Sequence, residues 1–202
     1  MSLEHILLGM LPRPASGYEL RRMFTTGTKY FWSAELSQLY PALERMEKRG
    51  WLQSRKLPPD KGPPRRVYER TSEGKKELLR WLGTGPQLDT QRLAYVGQLL
   101  FLHEAGDPSL TLSFMQKLRD ELSAIHRYLG DALQATCPAE TDPATLPSEE
   151  LHAWLALGLG TAAMQARLDW CTRAAEVLQR RISMTSTTAP TAESDHERRD
   201  PP

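Results

Sequence analysis

The chain is 202 residues long, 40% hydrophobic and 25% charged, enough apolar material for one medium or two small cores and too much for a wholly disordered chain. Its formal net charge of +1 hides an asymmetry: up to Trp81 there are 16 Lys+Arg against 9 Asp+Glu, and beyond it 10 against 16. Two cysteines, Cys137 and Cys171, exclude a disulfide framework or a Cys-rich metal knuckle and fit a reducing cytoplasm.

Residues 3–11 carry Leu3, Ile6, Leu7 and Met10 at helical spacing, and Pro12 and Pro14 stop that helix. Ser16-Gly17-Tyr18-Glu19 has the form of a capping box opening a second helix, which reaches about Thr25 with Leu20, Met23 and Phe24 on one face. TTGTKYFW around Gly27 reads as a turn. A third helix lies between Ser33 and Arg49, with Leu36, Leu39, Leu43 and Met46 on its apolar face and Gly50 as its stop. Proline costs about 3 kcal/mol inside a helix and little in the first turn, so Pro41 places the start near Ser37 or bends the helix there.

Trp51 to Leu57 and Arg66 to Arg70 alternate apolar with polar residues around PPDKGPP, which reads as a β-hairpin with a basic tip. Thr71-Ser72-Glu73-Gly74 leads into a helix carrying Leu78, Leu79, Trp81 and Leu82, closed by Gly83 and Gly85-Pro86. Beyond that hinge only helices are expected. Met115, Leu118, Leu122, Ile125, Leu129 and Ala132 follow a 3-4-3-4-3 spacing, a seam that needs a partner. CPAETDPATLP is a loop, and Ser148 with Glu149 and Glu150 starts a last helix running to Ile182, about 50 Å at 1.5 Å per residue. From Ser183 onward the composition predicts disorder.

Helix, helix, turn, helix, hairpin, helix within some 80 residues is the order of a winged helix-turn-helix. The fold class expected is mainly α with a small β-hairpin wing, followed by a C-terminal helical dimerisation domain. The divisions are a DNA-binding domain over 1–85, a dimerisation and effector domain over 86–182 and a tail over 183–202. In this frame Ser37, Gln38 and Tyr40 lie in the leading turns of the recognition helix, where glutamine can pair with adenine through two hydrogen bonds. Ser37 is equally a helix cap, and the two roles can coexist. Lys61, Arg65 and Arg66 at the wing tip, with Lys29, Arg45, Lys48 and Arg49, are candidate phosphate neutralisers; any one of them is also an ordinary solvated charge. Tyr18 and Arg21 at the start of the second helix are further phosphate candidates.

These segments resemble the PadR family of transcriptional regulators. ILLGML with SGYEL, FW with LSQLYPALERMEKRGWL, and RRVYERTSEGKKEL carry the resemblance over residues 3–82, and LYPAL with Gly50-Trp51-Leu52 is its strongest part. The resemblance implies that Gly17, Tyr18, Ser37, Gln38, Tyr40, Pro41, Arg66 and Tyr68 belong to the DNA-facing surface or its support, with packing inside the wing as the other reading for Tyr68. A Pro-rich wing departs from the family. Residues 90–182 look like the longer C-terminal domain of one subgroup, related to virulence regulators, in which helices of two subunits interlock; Trp170 and the helix lengths carry this.

From Ala153 to Ala166 the last helix is apolar all round and rich in small residues, which points to burial on several sides. Met115, Leu118, Leu122 and Ile125 with Leu155, Gly158, Leu159, Ala162 and Ala166 are therefore the expected dimer interface, an intrachain bundle being the alternative. Tyr128, Trp154, Met164 and Trp170 are either an effector pocket or plain core. The family implies small aromatic or hydrophobic inducers for some members. The five histidines are scattered, and HExxH, GxSxG and a phosphate loop are absent, so no catalytic site, metal or cofactor is expected. The opening MSLEHILLGMLPRP lacks a signal-peptide pattern, no bilayer-spanning stretch is present, and a cytoplasmic location is expected. The expected partners are double-stranded DNA and a second copy of the chain, and the expected function is a homodimeric repressor released by a small effector. A protein-interaction scaffold built on a winged helix without sequence-specific DNA binding is the alternative.

Overall fold

Three leucines of the first helix, α1 (Leu3–Gly9), turn inward: Leu3, Leu7 and Leu8 are buried, as spacings of three and four on a helix require. The computed structural model describes residues 3–25, 36–58, 65–88 and 92–187. After Pro12 and Pro14 the chain makes a two-residue strand, β1 (Ala15–Ser16), and enters α2 (Gly17–Met23). The capping box forms as expected. Ser16 Oγ accepts from the Glu19 amide at 3.2 Å, and Glu19 Oε2 accepts from the Ser16 amide at 2.7 Å, satisfying two donors that the helix leaves over.

A 3-10 turn over Leu36–Gln38 precedes α3 (Leu39–Lys48). Pro41 is the third residue of α3, where the backbone nitrogen needs no intrahelical partner, so the proline is accommodated without a break. Leu39, Ala42, Leu43 and Met46 are buried with Leu11, Leu20 and Phe24. Truncating any of the leucines to alanine costs about 2–5 kcal/mol. Gly50, at φ 73°, ends the helix in the left-handed region that glycine adopts freely.

The wing is β2 (Leu52–Leu57) and β3 (Arg65–Arg70), antiparallel from Leu52 opposite Arg70 to Leu57 opposite Arg65. The sheet has a third member that the sequence pattern did not reveal. β1 pairs with the other edge of β3, Ala15 opposite Tyr68 and Ser16 opposite Val67, so the strand order is β1-β3-β2. Then comes α4 (Ser72–Leu82), capped by Thr71. A Cβ on Gly74 would lie 2.1 Å from the Trp51 carbonyl oxygen, so only glycine permits this approach. The Thr71 amide donates to that carbonyl at 3.1 Å, and the Thr71 hydroxyl donates to the Gly50 carbonyl at 2.6 Å. α1 and α4 are also joined by His5, whose ring stacks on Trp81 with centroids 5.1 Å apart and pairs with Glu77 at 2.8 Å. Hydrogen bonds from Arg80, and then from His5, hold the Glu77 carboxyl down at about 2.

The second unit, Arg92–Pro202, contains α5 (Ala94–Phe101), α6 (Pro108–Thr136) and α7 (Ser148–Thr187). Asp107 caps α6 and Pro108 occupies its first position. α6 and α7 pack on each other along their length. Met115, Leu122 and Leu129 of α6 and Met164 and Cys171 of α7 are buried, so the seam on α6 is filled at least in part within the chain. Gly160 is the point of close approach, where a Cβ would stand 3.3 Å from Leu129 Cδ1. No residue of α5 is buried. No helix among the described residues is long and apolar enough to cross a membrane.

Candidate nucleic-acid interface

With Leu39, Ala42, Leu43 and Met46 facing the core, the periodicity of α3 leaves Tyr40, Pro41, Glu44 and Lys48 on the outer face, and all four are exposed. Ser37 and Gln38 are exposed just ahead of them. Gln38 is the N-cap residue of α3 but its side chain makes no capping bond, which leaves its amide group available for a base edge. Ser37 is therefore not the cap of α3. The Tyr40 ring, 48% exposed, lies over the start of α2; a Cβ on Gly17 would stand only 3.0 Å from Tyr40 Cε1. Tyr18, the residue after Gly17, is 71% exposed. Tyr40 thus joins the leading turn of α3 to the start of α2, where Tyr18 is exposed.

The basic residues divide by what they touch. Arg45 Nε donates to Glu4 Oε1 at 2.8 Å and Arg49 Nη1 donates to Glu4 Oε2 at 2.6 Å. One carboxylate of α1, its side chain only 10% exposed, thereby holds two arginines at the C-terminal half of the recognition helix. Arg66 is similarly engaged: it reaches Glu47 Oε2 and Ser54 Oγ, each at 2.8 Å, and lies over the Tyr68 ring. Tyr68 is buried in the wing beneath it, and burial pushes its phenol pKa up. Arg65 is exposed at the tip end of β3 and makes no ion pair among the described residues. The Glu19 carboxyl is held below its ordinary range first by the Ser16 hydroxyl and then by the Ser16 amide, with smaller help from the Arg65 and Arg22 charges. Lys61 lies outside the described residues.

Glu4 and Glu47 had no signal in the sequence, since nothing in the local pattern tells an ion pair spanning 41 residues, as for Glu4 with Arg45, or 19, as for Glu47 with Arg66, from a solvated charge. The residues expected to pair subunits fall into two groups. Met115 and Leu122 are buried, with Leu118 and Ile125 half-buried; Leu155, Leu159, Ala162 and Ala166 are exposed and Gly158 is half-buried. Among the candidate effector residues Met164 is buried, Trp154 and Trp170 are half-buried and Tyr128 is exposed. The 190 Å³ cavity between Leu11, Arg13, Arg70 and Lys75 and the 650 Å³ groove along Glu176, Arg180 and Met184 are lined by none of these four. No cluster of metal-binding side chains occurs among the described residues.

A tri-helical core presenting an exposed helix beside a β wing defines a winged helix-turn-helix, a DNA-reading architecture. Comparison with known proteins gives the family. Residues 6–80 match the transcriptional regulator PadR-like family. The probable transcriptional regulator Rv1176c of Mycobacterium tuberculosis is 30% identical over 190 residues, 89% of this chain and 98% of that one. Bacillus subtilis PadR, a negative transcriptional regulator, is 33% identical over 81 residues, 40% of this chain and 44% of that one. The chain belongs to the PadR-like family of DNA-binding transcriptional regulators and is not an enzyme.

Solved structures show that the fold extends beyond the winged helix. Bacillus subtilis PadR in complex with operator DNA superposes with a TM-score of 0.72 at 22% identity, covering 86% of this chain and 97% of that one. The same protein in complex with p-coumaric acid gives 0.65 at 22% identity over 88% and 95%. The Vibrio cholerae virulence activator AphA gives 0.64 at 24% identity over 91% and 99%.

Proposed function

We propose that this regulator is a homodimeric, sequence-specific repressor that leaves its operator when a small aromatic or hydrophobic effector binds its helical half. The observation that carries the reading is the outer face of α7, where Leu155 and Leu159 are 53% and 74% exposed and Ala162 and Ala166 continue the same 4-3-4 spacing. Bare leucines backed by small residues, on the unit next to a DNA reader, fit pairing with a second copy, because winged-helix readers grip two half-sites through two-fold symmetry. Residues 86–182 supply this contact in the proposal, and Tyr128, Trp154, Met164 and Trp170 line the effector site. Repression and effector release have their support in PadR, the negative regulator solved with p-coumaric acid. The protein acts in the cytoplasm, where the buried, free Cys137 and Cys171 stay reduced.

The reader in this scheme is the Ser37, Gln38, Tyr40 and Pro41 edge of α3 in the major groove, flanked by Tyr18 and by the wing residues Lys61, Arg65 and Arg66. Tyr68 supports Arg66 from beneath, and Arg45 orients α3 through Glu4. An effector that binds better to a dimer whose recognition helices miss successive half-sites lowers operator affinity by its differential affinity for the two states. Sedimentation equilibrium should give twice the chain mass. A mobility shift on the duplex upstream of the chain's own coding region should show a discrete complex that p-coumaric acid or a related aromatic acid dissolves. A monomer with no preference over competitor DNA would remove the proposal.

A further inference from the structure

Most carboxylates of the first unit are already engaged. Glu4 is held by Arg45 and Arg49, Glu19 by Ser16, Glu47 by Arg66, Glu69 by Gln53, Glu73 by Lys76 and Glu77 by Arg80 and His5. Glu44 is the exception among the described residues: it is exposed, with no hydrogen bond or ion pair, although Lys48 stands one turn further along α3. It also occupies the least suitable place for an idle acid. It lies one turn after Tyr40 on the face opposite Leu39, Ala42, Leu43 and Met46, the face that meets the duplex in the scheme proposed above.

A negative charge there repels phosphate and subtracts from every non-specific encounter. Its carboxylate accepts hydrogen bonds and donates none, so guanine N7 and O6 and thymine O4 give it nothing, and at adenine the N6 donor is offset by the adjacent N7 acceptor, which repels a carboxylate. Cytosine N4 offers an amino donor in the major groove to which a glutamate oxygen is matched. We propose that Glu44 is a specificity-determining residue that reads cytosine N4 in the operator half-site and penalises other sequences. The inference rests on the sequence-specific groove binding proposed above and deepens it.

Selection of duplexes from a randomised library, run with the full-length chain and with Glu44→Ala and Glu44→Gln, tests it. The unaltered protein should enrich a motif with one cytosine per half-site favoured roughly tenfold. Glu44→Ala should flatten that position alone and bind unselected competitor duplex several-fold more tightly; Glu44→Gln, the same size, should move the preference to adenine. An unchanged motif with Glu44→Ala overturns the role of Glu44 while leaving groove reading intact. No motif from the unaltered protein overturns groove reading, and the role of Glu44 with it.

Discussion

Replacing Arg45 and Arg49 separately and together tests whether α3 is fixed by the Glu4 clasp. The Glu4 side chain is 10% exposed while the two guanidinium side chains are 51% and 50% exposed. Either arginine alone still leaves the buried carboxylate one charge-assisted partner, so Arg45→Gln and Arg49→Gln should each cost about 1 kcal/mol, near the value of a partly exposed pair. The double variant strands the carboxylate. Removing the last partner of a buried charge costs about 3–5 kcal/mol, of which the open side of this site should leave about 3. The double loss therefore exceeds the sum of the singles by about 1 kcal/mol. Adding Glu4→Gln removes the stranded charge and should restore part of the stability. Urea titration gives the energies, and hydrogen exchange of the α1 and α3 amides localises them. Single losses that add up to the double, or a triple variant no more stable than the double, would refute the clasp.

Tyr40→Ala should weaken operator binding by about 1 kcal/mol or more while the chain stays folded. Gly17→Ala, whose Cβ would press on the same ring from 3.0 Å, should reproduce part of that loss with little change in melting temperature. Arg65 has no ion pair among the described residues, so Arg65→Ala should lower the slope of log K against log salt by about one, whereas Arg66→Ala should change it less because Glu47 already neutralises that guanidinium. The folded-state pKa of Glu77, about 2, lies below its ordinary 4.5. Its contribution to stability is therefore complete above about pH 4.5 and is lost as pH falls toward 2, and Glu77→Gln should flatten that part of an acid titration followed by circular dichroism.

Local chemistry made much of this legible in the sequence. Ser16 and Glu19 declared their cap, Pro41 marked the first turn of α3, and PPDKGPP separated the wing strands, because each depends on residues a few positions apart. Long-range partnerships were not legible. Two residues between Pro14 and Gly17 carry too little pattern to announce β1, whose existence depends on an edge of β3 some 50 residues away. The 3-4 spacing of the seam from Met115 through Leu122 and Leu129 to Ala132 shows that α6 needs a partner without saying which; part of the answer is α7 of the same chain. The carboxylate partners of Arg45 and Arg66 were equally hidden, because Glu4 and Glu47 are distant from them in sequence.

The missing side chain at Gly74 has a mechanical side. With the α4 N-terminus pressed against the Trp51 carbonyl and Thr71 bonded to both Gly50 and Trp51, the join has no clearance for slip. The start of α4 is thereby tied directly to the residues that stop α3, with no free linker between the two helices.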